Sequence, residues 1–238
     1  MIEVVYEDNH LIALHKPAGW LVQEDESEDT PLVEWAKAYI KERYKKPGDV
    51  FLHPTHRLDR PVSGLVLFAR TSKALARMSE IFHDRKIEKT YLAVVERRPQ
   101  ELQGHLEHYL VKDEAKNIVT AYNKPRYKTS KKAVLDYRLI GEIGNHYLLE
   151  VKPLTGRPHQ IRVQLAKMGC PIRGDLKYGA KYPNADGRIH LHAYALSFVH
   201  PVKKEPTTIV VYPPNEQIWN LFRSALGDVQ INLVPEEL

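Results

Sequence analysis

The run His56-Arg57-Leu58-Asp59-Arg60-Pro61-Val62-Ser63-Gly64-Leu65 places one carboxylate between two arginines, just ahead of a proline, a glycine and an apolar stretch. Flanking guanidinium groups favour the charged form of an aspartate. Asp59 is therefore expected to be ionised at neutral pH, as a carboxylate nucleophile must be. Pro61 biases Arg60 toward extended geometry, which puts Asp59 on a stiff loop before a strand spanning Val62–Ala69. Residues 65–69, Leu-Val-Leu-Phe-Ala, are apolar on both faces and read as a buried strand. The same Arg-x-Asp-Arg pattern also suits a surface ion-pair cluster of little energetic value.

A second dense motif is Leu154-Thr155-Gly156-Arg157-Pro158-His159-Gln160-Ile161-Arg162. Thr155 and Gly156 precede a helix, where free backbone N–H groups form an anion site, and Arg157 adds charge there. Arg162 sits about 100° around that helix from Ile161, so it borders the buried stripe. A half-buried arginine needs a carboxylate partner, for which Asp59 is the attractive candidate; a chain snorkelling to water is the alternative. Tyr91, after Glu88-Lys89-Thr90, opens a strand and presents either a ring at a cleft or ordinary sheet packing.

Other chemistry lacks support. His190-x-His192 and His53-x-x-His56 have spacings a metal could use, but no matching Cys or carboxylate cluster accompanies them. No metal and no cofactor are expected. Neither a Walker loop nor G-x-G-x-x-G occurs, and Ser63 lacks the G-x-S-x-G elbow of a hydrolase nucleophile.

The elements that must position these groups follow from periodicity. Ile2–Tyr6 and Leu11–His15 read as a hairpin around Asp8-Asn9, and Lys16-Pro17-Ala18-Gly19 turns the chain into a polar loop. Helices are expected from Thr30-Pro31, with Leu32, Val33, Ala36 and Ile40 inward, and from Thr71-Ser72, with Leu75, Met78 and Phe82 inward. Tyr91–Val95 is a strand, and residues 105–123 read as strand, loop, strand. Ala133–Ile140 and His146–Val151 are strands joined at Gly141–Asn145. A helix after Pro158 carries Ile161, Leu165 and Met168. Ile189–Val199 and Thr207–Tyr212 are strands, and Glu216–Leu226 is a closing helix. The interval 113–132 is almost wholly polar and reads as a long excursion. The result is an α+β chain with a largely antiparallel mixed sheet. No linker or repeat divides residues 1–238, which are expected to form one domain.

With 238 residues, 43% hydrophobic and 27% charged, the composition is that of an ordinary soluble protein. The N-terminus does not read as a signal peptide, and no apolar run reaches the ~18 residues of a membrane helix. The single cysteine, Cys170, excludes an intramolecular disulfide and fits a reducing, cytoplasmic setting. Net charge is +5, from 35 basic and 30 acidic residues. Acidic groups gather in Glu24–Asp29, whereas basic ones crowd Arg70–Lys89, Lys112–Lys132 and Arg157–Lys181. Tyr122, Tyr127, Tyr178 and Tyr182 interleave with the bases, a combination suited to phosphate neutralisation and base stacking.

Taken together, the motifs resemble the RluA family of RNA pseudouridine synthases. The matching blocks are His15-Lys16-Pro17-Ala18-Gly19, His56 to Leu65, Lys89-Thr90-Tyr91 and Gly156 to Leu165, extended by Gly174-Asp175-x-Lys177-Tyr178-Gly179 and His192-Ala193-x-x-Leu196. The resemblance implies the pseudouridine synthase fold, with flanking helices and loops around a central active-site cleft. It places the catalytic aspartate at Asp59, the active-site tyrosine at Tyr91 and the arginine paired with the aspartate at Arg162. Arg57 falls on the arginine that enters the RNA and helps extrude the target base. Arg60, Lys89, Arg157 and His159 are the further candidate RNA contacts. Val62 and Gln164 depart from the family pattern, where Thr and His are frequent. The implied branch is the compact one without a small N-terminal RNA-binding domain, acting on structured RNA, transfer RNA or 23S ribosomal RNA, with no membrane partner; a monomer needs no extra assumption. The rival readings are a non-catalytic RNA-binding module of the same fold and a glycosidase releasing uracil. The latter ordinarily needs two carboxylates, and Asp59 has no acidic neighbour in its motif.

Overall fold

The computed structural model describes residues 2–25, 29–184 and 186–231; Glu26–Glu28 of the acidic loop lie outside them. In chain order the elements are β1 (Glu3–Glu7), β2 (Leu11–Lys16), α1 (Leu32–Arg43), β3 (His53–Pro54), β4 (Ser63–Ala69), α2 (Ser72–His83) and β5 (Ile87–Val95). There follow β6 (Gln103–Asp113), β7 (Ile118–Tyr122), β8 (Lys131–Ile143), β9 (His146–Pro153), α3 (Gln160–Lys167), β10 (Leu191–Val199), β11 (Pro206–Val210) and α4 (Gln217–Leu221). The chain forms two compact units. One holds residues 1–88 and 193–212, and the other holds residues 89–192 and 213–231.

In the first unit, β1 and β2 form the expected hairpin. The Asp8 carboxylate accepts the amides of His10 and Leu11, each at 2.8 Å, which fixes the turn. β2 pairs antiparallel with β4, Leu11 opposite Ala69 and Lys16 opposite Gly64. Every residue of β4 is buried, as its two-sided apolar sequence requires. The strand begins at Ser63, one residue later than expected, because Val62 is engaged in the preceding turn. One face of β2 and β4 (Leu11, Ala13, Leu65, Leu67, Ala69) packs with Ala74 and Met78 of α2 and with Leu196 and Phe198 of β10. Thr71 caps α2 by accepting the Ala74 amide at 3.1 Å. In α1, Leu32, Val33, Ala36 and Ile40 are the buried residues, matching the sequence periodicity.

The second unit contains the antiparallel order β5-β9-β8-β6-β7. Its strands exceed the sequence expectation. β5 starts at Ile87, so Tyr91 stands in its middle and does not open it. The polar interval 113–132 is not an excursion, because β7 within it pairs with β6 from Asp113↔Ile118 to Tyr109↔Tyr122. Cross-strand hydrogen bonding organises this segment despite its polarity. Val163 of α3 packs with Leu110, Val119, Ala121 and Ala133, and all residues from Gln160 to Leu165 are buried. The closing helix is shorter than expected: α4 ends at Leu221, and Ser224–Asp228 forms a 3-10 turn. The chain tightens to i→i+3 bonds where Phe222 plugs against Gly141, with a ring carbon only 2.8 Å from where a Cβ would stand.

Gly64 marks a close backbone approach. Its φ is +120°, and a Cβ would come within 2.3 Å of the Ala193 carbonyl oxygen. Gly64→Ala is expected to lose at least about 2 kcal/mol of stability in urea unfolding, whereas Gly48→Ala, in open space, should stay within about 0.5 kcal/mol. Equal stabilities for the two variants would contradict the close packing.

Candidate active site

The first unit supplies the carboxylate. Asp59 is half-buried between exposed Arg57 and Arg60, and its own carbonyl accepts the Val62 amide at 3.0 Å to close a tight turn. The next carbonyl, that of Arg60, is held twice, by the Gly19 amide at 2.7 Å and by the Lys16 ammonium at 3.2 Å. Lys16 also donates to the carbonyls of Pro17 at 3.1 Å and Trp20 at 2.8 Å. Its Nζ thus clasps the 16–20 loop to the Asp59 turn. Arg60 returns the contact, donating from Nε to the Gly19 carbonyl at 3.0 Å and pairing with Asp29 at 2.5 Å; the Asp29 pair is exposed on both sides and adds little. On the other flank, His56 Nε2 accepts the Leu67 amide of β4 at 3.1 Å, so the loop is tied down before and after the aspartate.

Lys16 is completely buried. Burial pulls its pKa from 10.5 to about 7, while the charge of Asp59 works in the opposite direction and favours the ammonium. Periodicity did not single Lys16 out. The signal was a lone cation at the end of an apolar strand before Pro-x-Gly, a pattern that also fits a simple surface turn.

The second unit supplies the other candidates. Tyr91 is half-buried on β5 opposite Val151. Lys89 shares its face and reaches the Thr155 carbonyl at 3.3 Å. Arg162 is buried and forms a bidentate pair with Asp175, Nε to Oδ2 at 2.7 Å and Nη2 to Oδ1 at 2.9 Å. Its guanidinium carbon stands 5.0 Å from the centre of the Tyr178 ring. The Tyr178 hydroxyl in turn meets His159 Nδ1 at 2.6 Å and accepts the Val119 amide at 3.0 Å. The carboxylate demanded by a buried arginine is thus found, and it includes Asp175, which lies on a separate loop that no helical spacing could connect to Arg162.

The anion site expected ahead of α3 needs correction. The Gln160 side-chain carbonyl accepts the Arg157 amide at 3.0 Å and the Thr155 hydroxyl at 2.7 Å, and the Thr155 amide donates to the Val134 carbonyl at 3.3 Å. Those donors serve the loop itself. Arg157 is exposed and anchored through Nε to the Lys132 carbonyl at 3.1 Å. His159 holds a left-handed conformation, φ 51°, at the helix start. His190 and His192 both pack on Trp219, at 5.5 and 6.0 Å between ring centres. Gln164 is fully buried and donates to the Leu106 carbonyl at 3.1 Å and meets His108 Nδ1 at 3.1 Å.

The clasp has a measurable pH signature. Between about pH 7 and 10.5 an unfolded chain holds the Lys16 proton that the folded chain has released, so the contribution of this residue to stability rises with pH across that window. Lys16→Met is expected to flatten that rise in urea unfolding curves and to lower turnover at least about tenfold by freeing the Asp59 turn. An unchanged slope together with full activity would refute the clasp.

Residues 10–167 match the family described as RNA pseudouridylate synthase. The chain is 31% identical to tRNA pseudouridine synthase C of Vibrio cholerae, covering 95% of this chain and 96% of that protein. It is 33% identical to tRNA pseudouridine synthase C of Pectobacterium carotovorum, over 88% of this chain but only 58% of that longer protein. It is 31% identical to ribosomal large subunit pseudouridine synthase D of Borreliella burgdorferi, over 90% and 68%. Among solved structures, human RNA pseudouridylate synthase domain containing 4 superposes with a TM-score of 0.75 at 23% identity, covering 94% of this chain and 91% of that one. The fold, the blocks around Asp59 and Tyr91, and these matches lead to one assignment: the chain belongs to the RluA family of RNA pseudouridine synthases.

Proposed function

We propose that this chain isomerises specific uridines of structured RNA, in transfer RNA or 23S ribosomal RNA, with Asp59 as the catalytic carboxylate. The observation that carries this reading is the held turn. A carboxylate sits one residue from a carbonyl gripped by a fully buried lysine, which fixes its backbone before any substrate arrives. Such pre-organisation is what a reaction with a carboxylate nucleophile requires.

The chemistry needs no net addition or loss of atoms. The N1–C1′ bond of uridine breaks, C5 joins C1′, C5 loses its proton and N1 gains one. The Asp59 carboxylate serves this by attack on C1′, by addition to C6 of the base, or by removal of a ribose proton to give a glycal. Tyr91 stacks on the uracil and assists loss of the C5 proton. Arg162, held by Asp175 beside Tyr178, is the proposed cationic partner of the reacting groups. The target base is hidden in stacked RNA, so it must be flipped out, with Arg57 assisting. Arg60, Lys89, Arg157 and His159 position the phosphates.

Asp59→Ala is expected to abolish pseudouridine formation on unmodified transfer RNA and 23S RNA transcripts, scored by mass spectrometry of digested nucleosides, while RNA affinity changes less than about twofold. Residual activity above a few per cent would remove Asp59 from its role. For the second unit, Arg162→Met and Asp175→Ala are each expected to lose roughly 3 kcal/mol, since each removes one side of a buried bidentate ion pair. The double variant Arg162→Met/Asp175→Leu should recover stability without recovering turnover. A double variant that regains activity would show that Arg162 serves folding alone.

A further inference from the structure

The second unit contains a pocket of about 610 Å³ lined by Glu96, Ile143, His146, Arg173, Lys181, Tyr182 and neighbouring residues. Glu96 lies about five residues beyond Tyr91, roughly 17 Å along an extended chain, so the pocket is separate from the Tyr91 face. Its floor is rigid: the Arg173 amide donates to the Val94 carbonyl at 2.9 Å, and the Arg173 carbonyl accepts the His190 amide at 3.0 Å. Two polar atoms on the wall, Arg173 Nε and His146 Nδ1, are buried and lack a hydrogen-bond partner among the described residues. Buried donors left unmade are rare and mark a missing acceptor. Burial and the nearby Arg173 both lower the pKa of His146, which favours the neutral ring, and in its Nδ1–H tautomer this atom donates.

The rim has a different character. Tyr182 is 62% exposed, with Lys181 Nζ 5.1 Å from its ring centre, and Ile143 and Leu221 are exposed beside it. Glu96 accepts the Lys181 amide at 3.2 Å through one carboxylate oxygen. Two cations against one carboxylate leave a single positive charge, which matches a phosphodiester better than a doubly charged free phosphate. An exposed tyrosine beside that charge suits a stacked base, and the other oxygen of Glu96 suits a ribose hydroxyl.

We propose that this pocket is a second RNA-contact site, taking one phosphodiester on Arg173, His146 and Lys181 and stacking the adjoining base on Tyr182. The proposal rests on RNA being the substrate class and adds an anchor for flanking RNA away from the reacting uridine.

The test uses Arg173→Gln and Tyr182→Ala in the full chain, each first shown to melt within 2–3 degrees of the wild type, roughly the shift of a 1 kcal/mol change. Binding of an unmodified transfer RNA transcript is measured across salt concentrations, and pseudouridine formation is scored in the same samples. Arg173→Gln is expected to weaken binding about tenfold and to reduce the log–log salt slope by nearly one. Tyr182→Ala is expected to weaken binding about tenfold with the slope unchanged. In both, KM rises while kcat at saturating RNA is kept, a split that a structural defect does not produce. Wild-type affinity and slope in both folded variants would overturn the proposal. So would inorganic phosphate that shifts the His146 ring signals in NMR while the variants bind RNA normally, since the site would then serve a free anion. Loss of turnover with intact RNA binding would instead implicate the reaction centre, so failure here is distinguishable from failure of the Asp59 assignment.

Discussion

A buried lysine amine whose hydrogen bonds all go to backbone carbonyls is the constraint on which the Asp59 side of this structure depends. Lys16 ends a buried strand, has no exposure to water, and joins three carbonyls from two segments far apart in sequence. Burying a charge is unfavourable unless hydrogen bonds compensate it. The carbonyls of Pro17, Trp20 and Arg60 provide that compensation, and in doing so they define where the Asp59 turn lies. The carboxylate next door adds attraction to the same cation. Position of the Asp59 turn and tolerance of the buried amine are thus one interaction seen from two ends.

The second unit treats its arginine by the same logic with different chemistry. Arg162 lies among buried helix residues, so its planar fork is matched by the two oxygens of Asp175 and covered by the ring of Tyr178. Replacing the arginine with lysine would forfeit the two-point geometry. Tyr178 is itself pinned by His159 and by the Val119 amide of β7. A chain of contacts therefore runs from the β6–β7 hairpin through Tyr178 to Arg162. The loop before α3 is likewise held internally by Gln160, which makes it a rigid mount for the exposed Arg157.

How much of this the sequence disclosed follows from which forces act locally. Period-two and period-three-to-four patterns reported burial, so β4, α1 and α2 were legible, as was the Asp59 motif, whose charges are contiguous. Lys16 was visible as a residue but not as a clasp, because its partners include a carbonyl more than forty residues away, and backbone acceptors leave no mark on side-chain composition. Asp175 was hidden for a related reason: a loop carboxylate and a helical arginine meet only through tertiary folding. β7 was obscured by its polar surroundings, since ladder hydrogen bonds need no apolar side chains. The closing helix was overextended because its apolar spacing continues through Phe222, where packing against Gly141 tightens the backbone instead.

The most direct test of this account is an NMR titration of the Lys16 ε-nitrogen in the wild type and in Asp59→Asn. The account predicts a wild-type midpoint near 7, far below the ~10.4 of a solvated lysine, and a lower midpoint in Asp59→Asn, where the favourable carboxylate charge is gone. A midpoint near that of free lysine would contradict the predicted effect of burial, and one indifferent to Asp59→Asn would show that Lys16 is not coupled to the proposed nucleophile.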